Sequence, residues 1–213
     1  MTVDDVNLWT EAAHAERYLQ IAYRIPRREE GEASLLECVP TRTRRILDLG
    51  SGEGRLIGLL LDHLPEATGI AVDFSDTMLD RLHARFGNDP RVTVVRHDLD
   101  APLPDLGAFD AIVSSFAIHH LVDDRKRALY REIHDRLLPG GVFLNLEHVA
   151  SATPALHQWF LGALGVAPED DDPSNKLTPV ETQVQWLREL GFVEVDCHWK
   201  WRELALLAAV KAP

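Results

Sequence analysis

The sequence has little cysteine and no long apolar run, and each shortage excludes a class of protein. Two cysteines occur among 213 residues, so a disulfide framework is excluded and a reducing cytoplasm is expected. No stretch approaches the roughly 20 consecutive apolar residues that a membrane-spanning helix needs. The acidic start, Met-Thr-Val-Asp-Asp, is unlike the basic start of a signal peptide. We therefore expect a cytoplasmic protein without a membrane partner.

Basic residues are also scarce relative to acidic ones. Lys and Arg number 22 against 34 Asp and Glu, which gives a net charge of −12. This charge repels phosphate backbones and counts against a nucleic-acid partner, although a local basic patch would escape the argument. Ten histidines are present, but they form no HExxH segment and no Cys/His cluster, so no metal is expected.

What the sequence does contain is an alternation of two hydrophobic periods. Short apolar runs typical of buried strands occupy residues 45–49, 68–73, 91–96, 109–114 and 141–147. Helical spacing follows them over 56–63, 75–86 and 123–138, with Ser75 as a predicted N-cap. Strands that alternate with helices predict βαβ units and a parallel sheet covered on both faces.

The two ends of the chain depart from this alternation. Residues 2–38 and 150–190 have helical character, and residues 192–198 and 201–210 are apolar runs separated by Trp199 and Lys200. That short separation predicts an antiparallel hairpin. We expect one domain over 1–213, with a helical cap (1–40), a core (41–149), a helical insert (150–190) and a closing hairpin (191–213).

The strongest local signal is the glycine-rich turn Asp48-Leu-Gly-Ser-Gly-Glu-Gly54. Its glycines allow a sharp turn after the first strand and let a ligand lie against the backbone. A dinucleotide site requires G-x-G-x-x-G, and here Arg55 occupies the place of the third glycine. The G-x-G-x-G spacing behind Asp48 instead matches a loop for S-adenosylmethionine, and an ordinary turn without a ligand is the alternative. Asp73 ends the second strand, where a carboxylate can accept hydrogen bonds from both ribose hydroxyls.

Five segments, in this order, resemble the class I S-adenosylmethionine-dependent methyltransferases over about residues 40–213. They are the glycine turn, Asp73-Phe74-Ser75 with Met78, His97-Asp98-Leu99, the run 109–115, and the turn 138–141. The resemblance implies that the cofactor is S-adenosyl-L-methionine. It implies these cofactor-binding residues: Asp48, Gly50, Ser51, Gly52, Gly54, Asp73, Phe74, Ser75, Met78, Asp98, Leu99 and Ser115. Arg24 is a candidate partner for the carboxylate of the cofactor's methionine, and a plain surface arginine is the alternative.

The resemblance also implies a fold, an α/β Rossmann-like, doubly wound, seven-stranded sheet with an antiparallel last strand. The layout is closest to the small methyltransferases of the carboxy-S-adenosylmethionine synthase-like group, on the segments Arg24-Ile-Pro, Pro179-Val-Glu-Thr and the final Ala-Val-Lys211. Those synthases hold an extra carboxylate with an arginine before the last helix. This chain has an acidic segment there, residues 169–176, so we expect the unmodified cofactor.

The candidate catalytic residues follow two strands whose ends face the methyl group in this fold. They are His119 and His120 after the fourth strand, and Glu147 and His148 at the end of the fifth. A histidine titrates near neutrality and suits the role of a base for a hydroxyl or amine acceptor. Packing or capping of the next helix is the alternative role for each histidine.

Two features outside the core bear on the acceptor. All five tryptophans lie outside residues 40–149, and they either form an aromatic lid over the sulfonium or anchor helices to the sheet. Residues 169–176 carry four acids in a row without an apolar anchor. They predict a mobile loop that closes over the acceptor and disfavours anions.

The sequence thus predicts a methyltransferase that moves a methyl group from S-adenosylmethionine to O or N of a small-molecule acceptor. An RNA or protein methyltransferase, and a non-catalytic S-adenosylmethionine-binding regulator, are the alternatives. The sequence leaves open whether the chain forms a homodimer.

Overall fold

The computed structural model describes residues 25–213 and, before them, Ala13 alone. Two residues singled out from the sequence, Trp9 and Arg24, lie outside the described residues. The strands are β1 (Arg45–Leu49), β2 (Thr68–Asp73), β3 (Val92–Arg96), β4 (Phe109–Ser115), β5 (Leu137–His148), β6 (Phe192–Trp201) and β7 (Leu204–Lys211). The helices are α1 (Arg28–Cys38), α2 (Arg55–His63), α3 (Asp76–Phe86), α4 (Asp123–Arg136), α5 (Pro154–Leu164) and α6 (Val180–Glu189). Short 3-10 turns occupy Ile118–His120 and Pro168–Asp170.

The strands form one sheet in the order β3-β2-β1-β4-β5-β7-β6. The first five strands are mutually parallel, and β7 runs antiparallel to both β5 and β6. This confirms the predicted doubly wound sheet with its antiparallel last strand. The strand order reverses at β1 and β4, and a ligand crevice forms at such a switch point, outside the carboxyl ends of the strands.

The sheet separates two hydrophobic clusters because successive residues of a strand point to opposite faces. In β1, Ile46 belongs to the cluster that α1, α2 and α3 cover, and Leu47 belongs to the cluster on the other face. Leu129 of α4 and Leu187 of α6 cover that second cluster. Helices on both faces hold the strand ends rigidly, which is what a site built on those ends requires. None of the helices in residues 25–213 is both long and apolar enough to cross a membrane.

Two predicted strand boundaries were wrong, and one predicted helix cap lacks its side-chain hydrogen bond. The hairpin turn lies at Arg202 and Glu203 rather than at Trp199 and Lys200, because two register shifts in β6 break the alternation on which the prediction relied. The fifth strand begins at Leu137 rather than at residue 141, through a register shift opposite β4. Ser75 is the N-cap residue of α3 as predicted, but its hydroxyl makes no capping hydrogen bond.

Candidate active site

The glycine turn after β1 has the backbone conformation that its composition predicts. Gly50, Gly52 and Gly54 have φ angles of 67°, 56° and 80°, a region that favours glycine. A Cβ added to Gly50 would overlap the side chain of Ala117, whereas a Cβ on Gly52 would meet nothing nearer than the sulfur of Met78 at 4.0 Å. Space next to the loop is therefore open at Gly52, and a β-carbon there would begin to fill it.

Asp48 lies beneath this turn and is buried. Its side chain is 1% exposed, and neither carboxylate oxygen has a hydrogen-bond partner of good geometry among the described residues. Burial raises the pKa of the Asp48 carboxyl to about 7, weak contacts with the Ser51 hydroxyl and the backbone N–H of Ile57 limit the rise, and the charge of Asp73 adds to it. A buried carboxylate is costly without a donor, so the site fits a ligand that brings a cation, such as the ammonium of an amino acid.

Asp73, at the end of β2, ties that strand to the glycine turn. Its Oδ2 accepts a hydrogen bond from the backbone N–H of Gly52 at 2.8 Å, and its Oδ1 accepts one from that of Ser75 at 2.9 Å. The hydroxyl of Ser51 donates to the carbonyl of Asp48 at 2.8 Å and accepts from the N–H of Val72 at 3.0 Å. Because each carboxylate oxygen has two acceptor sites, Asp73 retains acceptor capacity for ribose hydroxyls.

Other predicted cofactor residues lie around the same turn. A methyl group of Leu99 is 3.9 Å from where a Cβ of Gly50 would stand, and the charge of Asp98 acts on Asp73. Ser115, at the end of β4, has a buried hydroxyl with no hydrogen-bond partner among the described residues. Phe74 follows Asp73 directly and is half-buried. The structure thus clusters the ends of β1, β2 and β4, as the resemblance implies.

The sequence pointed to Arg24, and the structure offers Arg28 at this edge of the sheet. The Arg28 guanidinium carbon lies 5.4 Å from the ring centroid of Phe116, which directly follows β4. Glu32 accepts hydrogen bonds from Arg28 at 2.9 Å and from Arg55 at 2.7 Å. These arginines line a cavity of about 300 Å³ beside the start of α2, together with Arg27, Glu29 and Glu30, so basic and acidic groups are mixed there.

The four predicted catalytic residues come together at the ends of β4 and β5. His119 Nδ1 lies 2.6 Å from Glu147 Oε1, and both side chains are buried. The His119 ring centroid is 4.0 Å from that of His120 and 5.5 Å from that of His148. His120 Nδ1 is held 3.1 Å from the hydroxyl of Ser174. Three imidazoles therefore stand side by side, next to the predicted cofactor site.

The environment sets the protonation of the His119–Glu147 pair. Burial raises the pKa of the Glu147 carboxyl to about 7, and hydrogen bonds and the ammonium of Lys126 limit the rise. Burial, together with the charges of His148 and Lys126, lowers the pKa of His119 well below its ordinary value. Asn145 donates to Glu147 Oε2 at 3.2 Å and fixes the carboxylate. Once Glu147 is ionised it accepts the Nδ1 proton of a neutral His119, which leaves the lone pair on Nε2.

Sequence analysis missed Glu203 and His157, which adjoin this cluster. Glu203 is wholly buried in the β6–β7 turn and accepts a hydrogen bond from His148 Nε2 at 2.9 Å. His157 of α5 contacts the same carboxylate at 3.0 Å. A glutamate after an arginine in a two-residue turn is typical of an exposed surface, so no local signal could have identified it.

Three of the four tryptophans that the structure describes pack against the hydrophobic clusters. Trp199 and Trp201 pack against the cluster on the α1 face, and Trp186 packs against the other. Trp159 is 59% exposed and stacks with Arg202, whose guanidinium carbon is 3.6 Å from the ring centroid. The sequence left open whether the tryptophans cover the sulfonium or anchor helices to the sheet. Anchoring is the role that fits Trp186, Trp199 and Trp201.

Residues 169–176, which the sequence predicts to lack an apolar anchor, are held by polar contacts that the sequence does not indicate. The backbone N–H of Lys176 donates to the carbonyl of His119 at 2.9 Å, and its ammonium donates to the carbonyl of His120 at 2.9 Å. Ser174 is 3% exposed and contacts His120. These contacts join the segment to the 3-10 turn Ile118–His120. Because they are polar, the hydrophobic pattern of the sequence does not indicate them. Closure of this segment over an acceptor stays a prediction.

Comparisons with known proteins identify the family of this chain. A family model described as a methyltransferase domain matches residues 46–141. An uncharacterized methyltransferase of Mycobacterium tuberculosis is 37% identical over 132 residues, 61% of this chain and 63% of the relative. The match thus spans less than two thirds of that relative's length.

A demethylmenaquinone methyltransferase of Clavibacter sepedonicus is 32% identical over 173 residues, which are 74% of this chain and 69% of the relative. A solved O-methyltransferase family protein from Burkholderia thailandensis shares the fold, with a TM-score of 0.76 at 20% identity over 96% of this chain and 61% of its own. The buried acid under the glycine turn, the acid at the end of β2 and these similarities agree. The chain belongs to the class I S-adenosylmethionine-dependent methyltransferases.

Proposed function

We propose that this chain transfers a methyl group from S-adenosylmethionine to an oxygen or nitrogen atom of a small molecule. The observation that carries the proposal is the buried His119–Glu147 pair. It stands at the ends of β4 and β5, beside the glycine turn that ends β1. A protein that only bound the cofactor would have no need of a carboxylate-oriented histidine on the acceptor side.

S-adenosylmethionine supplies an electrophilic methyl group on a positively charged sulfur. The chain's own residues bind and orient it: Asp48 offers a buried carboxylate to its ammonium, and Asp73 offers acceptor capacity to its ribose. Open space at Gly52 leaves room for the amino-acid end. Because sulfonium is already a good leaving group, holding the two reactants in line is a large part of the rate enhancement.

On the acceptor side, His119 accepts the proton that an O–H or N–H group releases. Ionised Glu147 holds the Nδ1 proton, so Nε2 is the basic atom, and the carboxylate stabilises the imidazolium that forms. Since the pKa of Glu147 is about 7, the competent form of the pair increases as the pH rises through neutrality. Methyl transfer should therefore rise over that interval.

Three observations favour a small acceptor. The net charge of −12 disfavours a polyanion such as RNA. The Clavibacter relative is named for a small-molecule acceptor, demethylmenaquinone. The buried position of His119 also favours an acceptor group that can enter a confined site over the surface of a folded protein.

The test uses S-adenosylmethionine with a labelled methyl group and a cell lysate separated into small-molecule, protein and RNA fractions. We expect label in the small-molecule fraction. His119→Asn should lower the transfer rate by about 100-fold or more and leave cofactor affinity intact. His63→Asn, an exposed histidine on α2, is the matched control. Label in protein or RNA would refute the acceptor class, and cofactor binding without any transfer would identify a regulator.

A further inference from the structure

The structure contains a second histidine–carboxylate arrangement, built on the β6–β7 turn. Glu203 Oε2 accepts a hydrogen bond from His148 Nε2 at 2.9 Å, and Oε1 accepts one from His157 Nδ1 at 3.0 Å. The other ring nitrogen of His157 lies 3.1 Å from Asp171 Oδ2. A continuous chain of polar contacts therefore runs from the end of β5 to the segment that follows α5.

The backbone holds Glu203 in place independently of its side chain. Its carbonyl accepts a hydrogen bond from the N–H of Val149 at 2.7 Å, directly after β5. Arg202, the other turn residue, has a left-handed φ of 54°, and this conformation is uncommon for a residue with a side chain. A wholly buried carboxylate in a two-residue turn is costly unless it is fully paired. The fold retains it here, next to the proposed acceptor site.

The contacts determine which ring nitrogens carry protons. Burial alone would raise the pKa of Glu203, but hydrogen bonds from His148, Ser151 and His157 lower it below its ordinary value. An ionised carboxylate only accepts, so His148 must carry its ring proton on Nε2. Burial alone would lower the pKa of His157, but its bonds to Glu203 and Asp171 raise it. Both ring nitrogens of His157 face carboxylates, and the charged imidazolium can donate a hydrogen bond to each of them.

His148 connects this arrangement to the proposed base. Its ring meets that of His119 edge to face, with the centroids 5.5 Å apart, and packs 5.2 Å from the ring of Phe160. If the ring of His148 rotated or flipped, its contact with the ring of His119 would change.

We propose that Glu203 is a positioning residue of the acceptor site. It fixes the tautomer and ring orientation of His148 beside His119, and it joins that ring through His157 and Asp171 to the segment after α5. This inference rests on the proposed function only in calling the site an acceptor site. The placement of the protons follows from the contacts themselves.

The experiment is nitrogen NMR of the full chain with ¹⁵N-labelled histidine rings, with His148→Gln and His157→Gln spectra to assign the signals. In the unmodified protein we expect a proton on His148 Nε2 and a pKa of His157 above its ordinary value. In Glu203→Gln the side-chain amide both donates and accepts, so His148 should lose its single tautomer. The pKa of His157 should fall by about one unit or more. Glu194→Gln, an exposed glutamate of the same hairpin, should leave both signals unchanged.

A second variant keeps the proposal testable if Glu203→Gln does not fold. Asp171 lies in a partly exposed segment, so Asp171→Asn should fold. This variant should lower the pKa of His157 and leave the tautomer of His148 unchanged. An unchanged His157 pKa in Asp171→Asn, or an unchanged His148 tautomer in Glu203→Gln, would overturn the proposal.

Calorimetry and the labelled-lysate assay separate this inference from the proposed function. Glu203→Gln should bind S-adenosylmethionine like the unmodified protein and transfer methyl groups more slowly, and an equal transfer rate would overturn the positioning role. If the unmodified protein transfers no methyl group, the proposed function fails, and the NMR result still decides the position of the protons.

Discussion

Replacing Asp48 by Asn should stabilise the cofactor-free protein in a pH-dependent way. The pKa of the buried Asp48 carboxyl is about 7, against an ordinary value of 3.8. The folded chain therefore binds this proton more tightly than the unfolded chain does. The associated stability is fully present below the ordinary pKa, and it is lost as the pH rises from about 4 through about 7. Asn cannot ionise and escapes this loss.

The magnitude follows from the interval between the two pKa values. At 1.36 kcal/mol for each pKa unit, the interval from 3.8 to about 7 corresponds to roughly 4 kcal/mol at alkaline pH. A buried amide without partners adds an opposing cost of about 1–3 kcal/mol that does not depend on pH. The informative quantity is thus the slope of the stability difference between Asp48→Asn and the unmodified protein, not its absolute value.

Urea unfolding of the cofactor-free proteins at a series of pH values measures that slope. The difference in the free energy of unfolding should grow in favour of Asp48→Asn between about pH 4 and pH 7 and stay constant above. Asp80→Asn, an exposed change on α3, should show no such growth. A difference that is flat over this range would refute the account of Asp48 as a buried carboxyl with a raised pKa. Saturating cofactor should favour the unmodified protein instead.

Three further predictions concern the cofactor site and the acidic segment. Asp73→Ala should weaken S-adenosylmethionine binding by about 1.5–3 kcal/mol, measured by calorimetry, because charge-assisted hydrogen bonds are lost; unchanged affinity would remove Asp73 from the ribose site. Gly52→Val should fold but show no cofactor-induced rise in melting temperature, since a branched side chain resists the φ of 56° and fills the open space; a normal rise would place the cofactor elsewhere. Ser174→Ala should make residues 169–176 more sensitive to limited proteolysis by releasing a contact to His120; equal resistance would show that Lys176 alone suffices.

The parts of the site that could be predicted are those that depend on local structure. The glycine turn was identifiable because three positive φ angles at fixed spacing require glycine whatever the rest of the fold does. His119 and Glu147 were identifiable because His119 follows β4 and Glu147 lies at the end of β5, and the carboxyl ends of parallel strands meet at one edge of a sheet.

The parts that could not be predicted depend on contacts between distant segments. Glu203 reaches the site because β7 pairs with β5, which brings the turn before β7 against Val149. The hairpin turn was misplaced because the bulges of β6 shift the hydrophobic alternation. Residues 169–176 are held by hydrogen bonds to the backbone carbonyls of His119 and His120. Every residue has such a carbonyl, so the pattern of side chains cannot predict these contacts.

The position of β7 in the sheet also constrains the order in which the chain assembles. β7 follows β6 in sequence, yet it lies between β5 and β6. While the chain is being translated, the five parallel strands emerge first, and β6 emerges before the strand to which it pairs. Until β7 arrives, the edge of β5 presents unpaired backbone groups to other nascent chains, which is the exposure that promotes aggregation. When β7 pairs with β5, it covers that edge, pairs with β6 and brings Glu203 against Val149. The proposed acceptor site is therefore completed only when the sheet is complete.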